Sequence, residues 1–230
     1  MTSLSPIRVM LVVPENNTTM HHELLAWLPI GSSCEVVRVP RGKGLLTQET
    51  LPAYKESTIA VCQEGADSKF DIVAYGCTAA GFILGPQGDR EMAERIASVT
   101  GKPVVTTAAS MVQALQAINA KKISLLTPYQ DNVNDQLKLF LLAGDIHVQH
   151  FDSFYAPDVI ALGNITAKQV QERAATLFAK DVDALFIACS QLPTLEILDK
   201  LSQTFKKPVL SSIQVTAKAL INHSSLKAPS

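Results

Sequence analysis

The stretch that decides the architecture is FDIVAYGCTAAG, residues 70–81. A β-prone apolar run (Ile72, Val73, Ala74, Tyr75) breaks at Gly76, and Cys77, Thr78, Ala79 and Ala80 follow at once. A buried strand that ends in Gly-Cys-Thr places a thiol and a turn of backbone N–H groups at a sheet's carboxyl edge, where open α/β proteins bind ligands. The stretch has an echo in VDALFIACSQLPTL, residues 182–195. In each run an Asp comes first and a Cys six residues later, at 71 and 77 and again at 183 and 189.

Outward from these two runs, strands and helices alternate. Strands are expected at 7–13, 34–39, up to Cys77, 103–107, 123–126, 147–151, up to Cys189 and 209–212. Helices are expected at 19–28, 51–66, 91–100, 109–118, 133–143, 167–179, 194–204 and from about 215. Gly101 closes the helix before it. PRGKGLLTQE (40–49) reads as a loop, and GFILGPQGD (81–89) as a flexible glycine-rich loop that could close over a substrate. Strands separated by helices of this length imply parallel sheets.

The two series match each other. LVVPENNTTM aligns with LLTPYQDNVN, the prolines at 14 and 128 being 114 apart. The cysteines at 77 and 189 are 112 apart, and the prolines of GKPVVTTAASMVQAL and KKPVLSSIQVTAKAL, at 103 and 208, are 105 apart. Three matches in one order imply an internal duplication. The expected division is residues 1–113 with 214–230 as an N-terminal half, and 114–213 as a C-terminal half.

Composition narrows the function. Of 230 residues, 47% are hydrophobic and 18% charged, which is a well-packed globular chain. A net charge of −1 without a basic run excludes the footprint of a nucleic-acid binder. The apolar runs are strand-sized, too short to span a membrane, and Arg8 inside the first of them does not suit a signal peptide. Four widely spaced cysteines without CxxC suggest reduced thiols and a cytoplasmic protein. No GxxxxGK[ST] or GxGxxG is present, so no nucleotide is indicated, and no His or acid is spaced to make a metal site with the thiols.

A lone Cys at a strand end is usually a small buried hydrophobe, and Cys34 and Cys62 are read that way. Cys77 and Cys189 occupy equivalent places in two halves, so pseudo-symmetry would bring both to one cleft. A thiol reacts as thiolate, and each of these cysteines precedes a helix whose N–H groups favour the anion. The N–H groups of Thr78, Ala79, Ser190 and Gln191 are candidates to hold a substrate carboxylate. Asn17 with Thr18, at the tip of the first strand, and Tyr129 and Asn134, at its counterpart, offer neutral donors without an arginine's charge. Alternatively, Asn17 caps its helix, and Asn134 lies on the exposed face of its own.

These residues resemble the aspartate/glutamate racemase superfamily. The motifs that carry the resemblance are VPENNTTM, GCTAAG, TPYQDNVN and CSQLPTL, spread over nearly the whole chain. Within it the pattern is most similar to maleate cis–trans isomerases, and TPYQDNVNDQL is similar to arylmalonate decarboxylases, which have a glycine where Cys77 stands. Glu15 and Asn16 replace the family's Ser pair, and Asp158 or Asn164 is the candidate for a further substrate-binding Asn. The resemblance implies two Rossmann-like or flavodoxin-like half-domains with parallel four-stranded sheets, and an active site in the cleft between them. It implies a cofactor-independent isomerase of a small dicarboxylate, with Cys77 as nucleophile and Cys189 as acid/base, and a homodimer. Amino-acid or hydantoin racemisation, an arylmalonate decarboxylase-related activity and a two-lobed binding module are the alternative expectations.

Overall fold

The computed structural model describes residues 5–41, 44–66 and 68–225; residues 42 and 43 of the expected 40–49 loop lie outside them. The first half contains β1 (Arg8–Pro14), α1 (Met20–Trp27), β2 (Ser33–Val39), α2 (Leu51–Glu64), β3 (Ile72–Tyr75), α3 (Thr78–Phe82), α4 (Gly85–Thr100), β4 (Val104–Thr106) and α5 (Thr107–Ala117). The second runs β5 (Lys122–Thr127), α6 (Asp131–Leu142), β6 (His147–Ser153), α7 (Val159–Gly163), α8 (Ala167–Leu177), β7 (Ala184–Ile187), α9 (Leu198–Phe205), β8 (Val209–Ser211) and α10 (Ser212–Ser225). They form two four-stranded sheets, ordered β2-β1-β3-β4 and β6-β5-β7-β8, with every pair parallel. No helix among the described residues is long and apolar enough to cross a membrane.

The central strands β1, β3, β5 and β7 are near-continuous apolar runs because helices cover both of their faces. The matching Asp residues at the start of the two Cys-bearing runs do the same job in each sheet. The Asp71 carboxylate accepts from the Arg8 N–H at 3.2 Å, and that of Asp183 from the Lys122 N–H at 2.8 Å. Each Asp thus pins its strand to the start of its central neighbour. At the other end the Gly76 N–H reaches Val12 O (2.8 Å) and the Ala188 N–H reaches Leu126 O (2.9 Å), so pairing continues to the residue before each Cys. Gly76 is required there, because an added Cβ would sit 2.5 Å from Met20 Sδ and 2.8 Å from Val13 Cγ1.

The structure corrects the reading of residues 81–89. This stretch is not a loop but the end of α3 and the start of α4, joined at Gly85, whose φ is +71°. Its other glycines serve close packing. A Cβ on Gly81 would lie 2.6 Å from that of Ala108, and one on Gly88 would lie 2.5 Å from that of Leu84. Phe82 and Ile83 are buried, which anchors the segment. Gly101 does end α4, at φ +64°. The short helix α7 was not expected, and α9 begins at Leu198, leaving residues 189–197 as a connection. The last helix leaves the second sheet for the first: α10 packs on α1 and α5, and Ile213, Ala217 and Leu220 join the core around β1 and β3.

Candidate active site

Both thiols line one cavity of about 40 Å³, room for a small molecule rather than a nucleotide. Its wall comprises Pro14, Asn16, Asn17, Arg41, Leu45, Leu46, Cys77, Thr78, Ala79, Tyr129, Leu162, Cys189, Ser190 and Gln191. Of the candidates from the sequence, Cys77, Cys189, Asn17, Thr78, Ala79, Tyr129, Ser190 and Gln191 are there; Thr18, Asp158 and Asn164 are not, and neither is Asn134. That residue is fully buried behind the wall, where its Nδ2 donates to Tyr129 O (2.8 Å) and its Oδ1 accepts from Thr127 Oγ1 (2.6 Å). It fixes the backbone of Tyr129 and does not reach the cavity. It is not on an exposed face either. Asp158 caps α7, with its carboxylate accepting from the Ile160 and Ala161 N–H groups, and Asn164 is the C-cap of the same helix. Neither lines the cavity; α7 contributes Leu162 instead.

The connection that follows Cys189 is sewn to the first half. The Ser190 N–H donates to Thr78 Oγ1 (3.2 Å) and Ser190 Oγ to Gly76 O (2.6 Å). Asn17 Nδ2 donates to Ser190 O (3.2 Å), while Asn17 Oδ1 accepts from the N–H groups of Thr19 and Met20. Asn17 is therefore both a helix-start acceptor and a cavity-wall residue. Gln191 and Thr18 exchange two bonds, Thr18 N–H to Oε1 (3.0 Å) and Nε2 to Thr18 Oγ1 (2.9 Å). Farther along, the buried Glu23 carboxylate accepts from the Thr194 N–H (2.8 Å) and from Thr194 Oγ1 (3.0 Å). This corrects one expectation. The Ser190 and Gln191 N–H groups are already engaged, by Thr78 and by Cys189 Sγ (3.4 Å) respectively, so these residues wall the site rather than present free N–H groups to a carboxylate.

Burial pushes both thiols up, Cys189 to about 11. Opposing it at Cys77 are the Arg41 guanidinium, the N–H groups of Ala80 and Ala79, and the Tyr54 hydroxyl. At Cys189 the opposing groups are the Gln191 N–H, the Tyr129 hydroxyl and the Leu192 N–H, while Cys77 itself adds to the upward push. At Cys77 these N–H groups open α3, as the sequence implied; at Cys189 they belong to a turn instead, because the next helix, α9, begins only at Leu198. Cys189 also has φ +121°, a conformation that a side chain rarely adopts and that persists only where the surroundings enforce it. Its N–H is held by Ser212 Oγ at 3.0 Å. Tyr129 stands edge-on to Phe82, with ring centroids 5.6 Å apart.

Arg41 was missed, and it changes the electrostatics, since among the described residues the wall carries a cation where only neutral donors were expected. The signal was its position, directly after Pro40 at the carboxyl end of β2, on the edge that also bears Cys77. Asn16 Oδ1 is buried without a partner, so the substitution noted beside Glu15 places an unsatisfied acceptor on the cavity wall. Cys34 and Cys62 lie elsewhere, both pushed up to about 12 by burial, as suits packing residues.

Comparisons with known proteins fit this arrangement. The chain is 28% identical to a maleate isomerase of Geobacillus stearothermophilus, over 96% of this chain and 92% of that one. A maleate cis–trans isomerase of Nocardia farcinica superposes with a TM-score of 0.86 at 26% identity, covering 98% of this chain and 94% of its own; that structure is a cysteine-to-serine mutant with a covalently bound succinylcysteine intermediate. A cysteine-to-alanine variant of a maleate isomerase from Pseudomonas putida S16, solved with maleate, has the same fold, with a TM-score of 0.88 at 24% identity and coverage of 98% and 94%. The family model described as arylmalonate decarboxylase matches residues 41–229. With most of its length matched, the chain belongs to the arylmalonate decarboxylase family.

Proposed function

We propose that the protein is a cysteine-dependent maleate cis–trans isomerase that works without a cofactor. The observation that carries this reading is the pair of thiols on matching strand ends in one small cavity, with a cation beside Cys77. The succinylcysteine intermediate of the Nocardia relative supports the chemistry.

In this mechanism Cys77, as thiolate, attacks one olefinic carbon of maleate. A C–S bond forms, and the π pair moves to the neighbouring carbon, which takes a proton from Cys189. The former double bond is now single and rotates. Cys189, now the thiolate, removes the proton, the C–S bond breaks, and the double bond re-forms in the trans geometry with Cys77 released. Atoms and charge balance without an external acid or oxidant. Arg41, Asn17, Tyr129 and the Thr78 and Ala79 backbone are assigned to the carboxylates, and Leu45, Leu46 and Leu162 exclude water. Asn134 holds Tyr129 in place.

The packing of α10 on the first sheet supports a division into residues 1–113 with 214–230 and 114–213. Free thiols throughout suit a reducing cytoplasm, and a homodimer is the expected assembly.

Proton NMR of maleate incubated with the enzyme tests the function. Fumarate should accumulate, and Cys77→Ser should abolish it. Mass spectrometry should detect a succinyl adduct on the Cys77 peptide. Racemisation of an amino acid with no action on maleate would overturn the assignment.

A further inference from the structure

We propose that Tyr54 is the positioning residue that makes Cys77 the nucleophile, its hydroxyl serving as a hydrogen-bond donor kept for the sulfur anion. The proposal rests on the assignment of Cys77 as nucleophile. Tyr54 comes from α2, whose buried positions Leu51, Tyr54, Thr58 and Cys62 form one stripe facing the sheet. The residue is 4% exposed, and the Thr58 hydroxyl donates to its carbonyl at 2.8 Å, which ties down the helix turn that carries it. Its phenol oxygen is buried with no hydrogen-bond partner in the resting protein. A buried hydroxyl without a partner is destabilising, so it is retained where something else needs it. Tyr54 and Cys77 share one buried cluster, and Arg41, Leu45 and Leu46 border both Tyr54 and the cavity that Cys77 lines, so the Cys77 sulfur is the group assigned to it.

The duplication sharpens the argument. The counterpart of α2 in the second half is α8, which buries only Val170 and Ala174 and supplies no such donor. Cys189 takes its phenol from Tyr129, at the tip of β5, instead. The two halves therefore match in their cysteines and differ in what addresses them. Among the described residues, the titratable and charged groups around Cys77 are Arg41, Tyr54, Tyr75, Tyr129 and Cys189. Of these, Arg41 and Tyr54 are the ones that favour the Cys77 anion, the first by charge and the second by a directed O–H. When Cys77 loses its proton to solvent, Tyr54 gains the acceptor it lacks at rest.

The test is alkylation of the full-length enzyme by iodoacetamide across pH, with the Cys77, Cys189 and Cys62 peptides quantified separately by mass spectrometry. Because the phenol oxygen has no other partner, Tyr54→Phe leaves nothing newly unsatisfied and should fold, and continued protection of Cys62 reports that it has. The Cys77 profile should move to higher pH by about one unit, with alkylation near neutrality about tenfold slower, while the Cys189 profile stays in place. Tyr129→Phe should produce the reverse pattern. An unchanged Cys77 profile in Tyr54→Phe, or Cys77 and Cys189 shifting together, would overturn the proposal. Because alkylation requires no turnover, the result stands apart from whether maleate is the substrate.

Discussion

The Glu23–Thr194 contact sets the position of the connection that carries Cys189, and a double-mutant cycle can weigh it. Glu23 is 2% exposed and Thr194 1%, so water cannot replace what is removed. Thr194→Val deletes the Oγ1 bond to the carboxylate at 3.0 Å and keeps the N–H bond at 2.8 Å, and Ser211 Oγ, 2.9 Å from the same hydroxyl, loses its neighbour. A hydrogen bond to a charged group contributes about 1.5–3 kcal/mol, which is the expected loss. Glu23→Ala deletes both bonds and leaves the Thr194 N–H buried and unpaired, for about 3–5 kcal/mol. Once the carboxylate is gone the Thr194 hydroxyl keeps only its contact with Ser211 Oγ. The double variant should therefore be close to Glu23→Ala alone, with a coupling energy of about 1.5–3 kcal/mol. Urea unfolding followed by circular dichroism gives all four stabilities. Single effects that add to within about 0.5 kcal/mol would refute the view that this carboxylate clamps the Cys189 connection.

Three further outcomes are expected. Asp89 is 2% exposed and pushed up to about 6 by burial, so its folded value lies above its unfolded one. The stability this confers is fully present below the unfolded value near 3.9 and lost as pH rises through about 6, so Asp89→Asn should exceed wild type by about 2–3 kcal/mol at pH 8 and match it at pH 4 in urea titrations. Gly76→Ala should destabilise by about 1–3 kcal/mol in the same assay, because its new methyl would meet Met20 and Val13; a neutral effect would mean that this close approach relaxes freely. Arg41→Met should raise KM for the dicarboxylate about tenfold, on the order of 1.4 kcal/mol, and unchanged steady-state kinetics would remove Arg41 from substrate binding.

The succession of strands along the chain and the meeting of the two thiols were legible in the sequence, because the Asp-to-Cys spacing and the repeated prolines show that one half repeats the other. Asn17, Tyr129 and Cys77 could be placed from their positions at strand tips alone. What local pattern hid was whatever depends on which group the folded chain sets against a residue. The glycines at 81 and 88 look like loop residues until Ala108 and Leu84 are seen against them. Asn134 looks like a surface or binding residue until the Tyr129 carbonyl fills its reach. Tyr54 lies in an ordinary helix stripe, and nothing in its neighbourhood of sequence tells which sulfur its hydroxyl will meet. The N–H groups after Cys189 were expected to open a helix, but α9 starts only at Leu198, and Thr78 takes the Ser190 N–H while the Cys189 sulfur takes that of Gln191.

The seam along residues 190–194 also fixes how much of its time the molecule spends ready to react. Parting the halves breaks the Ser190 bonds to Thr78, Gly76 and Asn17, both Gln191–Thr18 bonds, and the bonds from Thr194 to Glu23. At about 1 kcal/mol each, that is roughly 6–7 kcal/mol, and a parted form would be populated in about one molecule in 10⁴ to 10⁵. The ligand-free enzyme therefore already holds both sulfurs on the wall of one cavity. Substrate arriving in the cavity has no swing of one half against the other to drive, and the free energy of its binding stays available for the reacting carbons.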